Sequence, residues 1–220
     1  MSLRERIKIP NYTLEEELMN AISHGIGAFL GIAALVLCVV KSCIQHNNIA
    51  VVASSIYGAT LIFLYFMSTL YHSLKVNNAK RVFNIIDHCS IFLLIAGSYT
   101  PYTLITLKGA LGWGIFGVIW LAAIIGIVFN AIDLNKYKKI SVLAYILMGW
   151  MIIFAFKPLY ESLSKNGLVL LVWGGVLYTV GAIFYGLGKK KKYMHSIFHL
   201  FVLAGSILQF FLYKLEPEKF

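Results

Sequence analysis

The chain has 220 residues, 60% of them hydrophobic and only 13% charged. A water-soluble domain carries about a quarter of its residues as charges, so this composition excludes an ordinary globular enzyme in water and requires a lipid-facing surface. The net charge of +10 would suit a nucleic-acid partner, but it is dispersed in short clusters between apolar stretches, which excludes that reading.

Residues 1–18 form an N-terminal segment. Within it Thr13 followed by Glu16 fits a capping box, in which side chain and backbone exchange hydrogen bonds, so a helix starts at Leu14. Leu14 and Leu18 share a face of that helix, at the membrane surface or in solvent. Seven apolar stretches of spanning length follow: 20–40, 49–73, 83–107, 110–132, 140–156, 167–187 and 194–213. About 20 helical residues cross a hydrocarbon core of about 30 Å; the stretch 140–156 is near the short limit. The first stretch follows Glu15, Glu16 and Glu17 rather than a basic region and is long enough to span, so no cleavable signal peptide is expected. Gly27 and Gly31 in the first stretch, and Gly174 and Gly175 in the sixth, mark close helix packing. Pro101 predicts a kink near the end of the third, with Ser98 or Thr100 satisfying freed carbonyls. Alternation of polar and apolar residues, the mark of a barrel strand, is absent. Cys38, Cys43 and Cys89 form no ligand-like or disulfide pattern and read as apolar filler. The expectation is an all-α integral membrane protein, a seven-transmembrane helix bundle over 19–214 with a short tail, 215–220.

Lysine and arginine set the orientation. Arg4, Arg6, Lys8, Lys75, Lys80, Arg81, Lys136, Lys138, Lys139 and Lys189 to Lys192 fall on one side. Lys41, Lys108, Lys157, Lys165, Lys214 and Lys219 fall on the other, so the nineteen divide thirteen to six. Short cytoplasmic loops retain such residues. The N-terminus is therefore expected in the cytoplasm and the C-terminus outside, with the basic loops meeting anionic headgroups of the inner leaflet.

Ionisable residues inside a membrane are costly and mark function. Those within the stretches are His24, His72, Asp87, His88, His195 and His199; the fourth, fifth and sixth contain none. Counting from the basic boundaries puts His72 and His195 about 4.5 Å deep and Asp87 and His199 about 9–10 Å deep; His24, seven residues past Glu17, lies at a similar depth. Residues of four spans thus gather at one level. His195 and His199, four apart, leave one helix face together, as do Ser68 and His72. Three histidines and a water make a tetrahedral site of the catalytic zinc type. Asp87 either joins the ligands or acts as a base, and Ser68 is placed to donate to a developing oxyanion. The competing reading is histidines serving as hydrogen-bond glue between helices. His24 and Asn20, on one face with Glu17, read as groups packed or hydrogen-bonded behind the ligands, and His88 as structural.

At these same residues the chain resembles a known family. Asn20-Ala-Ile-Ser-His-Gly-Ile-Gly27, Ser68-Thr-Leu-Tyr-His-Ser73, Asp87-His88, Ala96-Gly-Ser-Tyr-Thr-Pro-Tyr102 and His195-Ser-Ile-Phe-His199 are similar to motifs of the haemolysin III group. That group lies within the progestin and adipoQ receptor family, in the wider set that includes alkaline ceramidases. The motifs run in order from the first span to the last. The resemblance implies seven helices with a cytoplasmic N-terminus and zinc held by His72, His195 and His199, with Asp87 and Ser68 completing the site. The chain as given lacks the long N-terminal domain of the animal hormone receptors, which favours a bacterial member. Three functions follow as expectations: a zinc-dependent hydrolase of a lipid amide or ester, a membrane-damaging haemolysin (cytolysis), or a receptor or sensor with structural zinc. Uniformly apolar spans argue against a polar-lined pore, and no inverted repeat suggests a transporter.

Overall fold

The structure is a computed structural model that describes residues 7–107, 109–188 and 191–216. Arg4, Arg6, Lys108, Lys189, Lys190, Lys219 and the tail from 217 onward lie outside the described residues. Among those described there is no strand. The helices are α1 (Leu14–Ile44), α2 (Asn48–Ser73), α3 (Asn78–Pro101), α4 (Gly109–Trp150), α5 (Phe156–Ser162), α6 (Lys165–Leu187) and α7 (Met194–Leu215). A π-helical turn, Tyr102–Leu107, follows α3, and a 3-10 turn, Met151–Ala155, links α4 to α5. Among the described residues, six helical segments are long and apolar enough to cross a membrane.

The pattern of burial is that of a bundle in lipid. On α1, Asn20, His24, Gly27, Gly31 and Ala34 face inward, while Ile22, Ile26, Phe29 and Val36 face outward. Lipid is as apolar as leucine, so the inside is chosen by small and hydrogen-bonding residues rather than by oiliness. A Cβ on Gly27 would stand 2.7 Å from the Tyr65 ring, and one on Gly97 would stand 1.9 Å from Thr60 Oγ1. These close approaches bring α1 onto α2 and α2 onto α3. Gly174 is equally tight, against Gln209 of α7, whereas Gly175 has ordinary clearance from Trp150. α1 packs on α2, α2 on α3, α3 on α4 and α6 on α7, and α7 returns to α1.

α4 is not one straight rod. Asp133 leaves helical geometry with φ −157° and ψ 93°. Eleven residues of straight helix span about 16 Å, yet Ser141 Oγ donates to Asn130 Oδ1 at 2.6 Å. The chain therefore reverses at Asp133. Its carboxylate accepts from Lys136 N at 3.0 Å, capping the returning half, and Phe129 stacks on Tyr137 across the bend at 4.9 Å.

Several local expectations can be set against the structure. Thr13 is the N-cap of α1, with both capping-box hydrogen bonds to Glu16 formed. Pro101 ends α3, and the chain continues through the π turn rather than breaking. Ser98 Oγ donates to Ile95 O at 2.8 Å and Thr100 Oγ1 to Ala96 O at 2.9 Å. The cysteines are free: Cys38 buried, Cys89 partly buried and Cys43 exposed. One expectation needs correcting. Lys80, assigned to a basic loop, lies in the first turn of α3 and is buried, 1% exposed, so it meets no headgroup.

Candidate metal centre

Four helices bring the singled-out residues together. His72 closes the last turn of α2, and the pair His195 and His199 opens α7. One ring nitrogen from each of the three lies within 4.8 Å of the others, and all three residues are buried. His195 Nε2 and His199 Nε2 are 3.1 Å apart. Two nitrogens on one tetrahedral zinc, each bonded at 2.0–2.1 Å, sit about 3.3 Å apart, so the pair already has the spacing of ligands. His72 Nε2 is buried with no hydrogen-bond partner. Buried polar nitrogens are nearly always paired, so an open one on a ring beside two other histidines fits an ion. The donor set, three neutral imidazoles, is that of zinc and related transition metals.

The remaining groups surround this trio. His24 stacks face to face on His199, centroids 3.7 Å apart, and meets the edge of Tyr65 at 4.9 Å. The Asn20 amide nitrogen stands 3.4 Å from His72 Nδ1. Asp87 lies outside the mutually close trio and instead lines a cavity of about 260 Å³ together with Ser68, His24, His195 and His199. Ser68 Oγ faces the Asp87 carboxyl without reaching hydrogen-bond geometry, and it has no other partner. From there the cavity follows α3 through Ile91 and Ile95 to Tyr102, and α7 through Val202 to Gln209. Fourteen or fifteen helical residues make that path about 21 Å long, and its walls are overwhelmingly apolar. His88 faces structural partners: Nδ1 bonds Asn84 O at 2.9 Å and Nε2 bonds the Tyr185 hydroxyl at 2.9 Å.

The acidic start of α1 does more than the sequence reading gave it. Glu15 accepts from the Tyr193 hydroxyl at 2.9 Å and Glu16 from Tyr193 N at 2.8 Å. Tyr193 sits at φ 62°, in the left-handed region. These bonds fix the residue that leads into His195. Glu17 accepts from His72 Nδ1 at 2.6 Å and from Lys80 Nζ at 2.5 Å. Tyr12, just before α1, stacks on His195 at 4.9 Å and 15° and so roofs the histidines. Burial and the nearby Glu17 and Asp87 carboxylates push its hydroxyl upward, so it stays neutral. Only the helical periodicity of α1, carried back from His24 through Asn20 to Glu17, hinted at the glutamate; nothing local hinted at Tyr12.

The model of the "Haemolysin-III related" family matches residues 12–210, from the tyrosine roof to α7. The chain is 49% identical to "Hemolysin-3" of Bacillus cereus over 198 residues, 90% of each chain. It is 44% identical to "Hemolysin-3 homolog" of Bacillus subtilis (strain 168) over 91% of this chain and 93% of that one. It is 28% identical to "Monocyte to macrophage differentiation factor" of Homo sapiens over 90% of this chain and 83% of the other. No solved structure matches. With six apolar spanning-length helices and the match running through both ends of the histidine site, the chain belongs to the haemolysin III-related family of multi-pass membrane proteins.

Proposed function

We propose that this protein is a zinc-dependent hydrolase of a lipid amide or ester in the plasma membrane. Its chain crosses seven times, with the N-terminus in the cytoplasm and the C-terminus outside. The reversal at Asp133 supports the count, because it divides the apolar run Gly109–Ser162 into two limbs. The thirteen-to-six division of basic residues supports the orientation.

The observation that carries the enzymatic reading is the juxtaposition of three buried histidines, one ring nitrogen of each within 4.8 Å of the others, with an apolar cavity of about 260 Å³. A merely structural staple would need the first but not the second. His72, His195 and His199 would hold zinc, which when bound supplies Lewis acidity and an activated water. Asp87, at the cavity wall, takes and returns the proton. Ser68 Oγ, with its donor uncommitted, offers a hydrogen bond to the oxygen of a carbonyl under attack. The apolar channel beyond receives an acyl chain and keeps bulk water from the reacting bond. Membrane lipids are thus both surroundings and substrate, and the basic loops hold anionic headgroups at the same face.

The test is metal content of the detergent-purified protein beside His195→Ala/His199→Ala, followed by hydrolysis assays on lipid amides and esters. About one zinc per wild-type chain, none in the variant, and turnover only in the wild type is expected. Turnover that survives the double substitution would sink the mechanism. The name of the Bacillus cereus relative favours cytolysis as a second reading. It predicts dye leakage from liposomes that persists after the metal is removed.

A further inference from the structure

We infer that Glu17 is a positioning residue of the metal centre. It would hold the His72 ring so that Nε2 alone faces His195 and His199, and buried Lys80 would keep Glu17 charged and in place. The inference rests on the reading of His72 as a metal ligand.

The geometry carries it. A carboxylate oxygen 2.6 Å from His72 Nδ1 requires a hydrogen between them. The other oxygen of the same carboxylate is 2.5 Å from Lys80 Nζ, so the anion is the compensated form and the hydrogen belongs on the imidazole. With Nδ1 donating, Nε2 is the lone-pair nitrogen, and it is the one left without a partner. The Asn20 amide, 3.4 Å from the same Nδ1, would then present its oxygen to the ring. Lys80 is itself held: it donates to Leu74 O at 2.9 Å and lies 5.0 Å from the centre of the Tyr71 ring. A lysine only 1% exposed at the start of a helix has no reason to be there as a solubilising charge. Glu17 of α1, His72 and Leu74 at the end of α2, and Lys80 of α3 therefore form one connected unit behind the nitrogen. A ligand histidine whose far nitrogen is bound to a carboxylate is fixed in tautomer and direction, and losing that partner typically weakens metal binding 10- to 100-fold.

The experiment measures Zn²⁺ affinity of the full chain in detergent by chelator competition, and the visible spectrum of the Co²⁺-loaded protein. Wild type is compared with Glu17→Gln and with Glu17→Ala/Lys80→Met. The double variant removes both charges together and so leaves no buried ion unpaired. The expected result is about a 10- to 100-fold loss of Zn²⁺ affinity in the double variant with an altered Co²⁺ spectrum. Glu17→Gln, whose amide oxygen still accepts from Nδ1, should lie in between. Monodisperse variants that bind Zn²⁺ as tightly as wild type, with an unchanged Co²⁺ spectrum, would overturn the inference and leave the zinc reading standing. A wild-type protein that binds no Zn²⁺ would overturn both.

Discussion

The two ends of the bundle handle their buried polar groups differently. At the end away from the histidines, most are matched. Tyr102 donates to Gln209 and Tyr213 to Ser98 O, while buried Glu216 accepts from Ser164 N at 2.9 Å. Lys41 Nζ closes that face by donating to Tyr213 O at 2.9 Å. Among the described residues there, the hydroxyls of Tyr57 and Thr106 are the exceptions. At the histidine end, His24 lacks a partner on both nitrogens, and His72 Nε2, His199 Nδ1 and Ser68 Oγ lack one each. An unmatched buried polar group costs about 1–3 kcal/mol, so the chain finishes one end more completely than the other.

That contrast can be broken by substitution. The largest effect is expected at the unfinished end: Ser68→Ala should lower hydrolytic turnover by about 10²–10³ while zinc content stays at wild type. Turnover unchanged by the loss of this hydroxyl would remove Ser68 from the mechanism. Between the ends, Gly97→Ala forces a methyl against Thr60 and should cost about 1–3 kcal/mol, read as a lower melting temperature. Zinc affinity should fall only as far as folding does. The smallest effect belongs to the finished end. Glu216→Ala strips the acceptor from Ser164 and should cost about 1 kcal/mol of thermal stability. Zinc binding and turnover should be untouched, and any change in them would couple the two ends.

What was legible in the sequence had a local rule behind it. The start of α1 followed from Thr13 and Glu16 because a capping box is complete within four residues. The pairing of His195 with His199 followed from helical repeat alone, and the intramembrane cost of charge drew attention to Asp87. What was hidden depended on another segment. Lys80 looks like any loop lysine beside Arg81 until Glu17, far away in sequence, is seen to take it inward. Tyr12 stands outside the apolar stretches, so no argument from hydropathy reaches it. Likewise, the cavity is a property of faces from α1 to α7 meeting, and uniformly apolar residues cannot reveal where two faces stand apart.

The site also dictates when it can exist. His72 is made early and His195 and His199 nearly last, with roughly 120 residues between them that must be threaded into the bilayer first. Glu15 and Glu16 of α1 grip Tyr193, so the opening of the chain waits for its end. A ribosome-bound or truncated product that stops before α7 would hold one histidine of the three. In the proposed zinc-binding role the metal would be acquired only once α7 has docked, and a bound ion would report that α2 and α7 have come together.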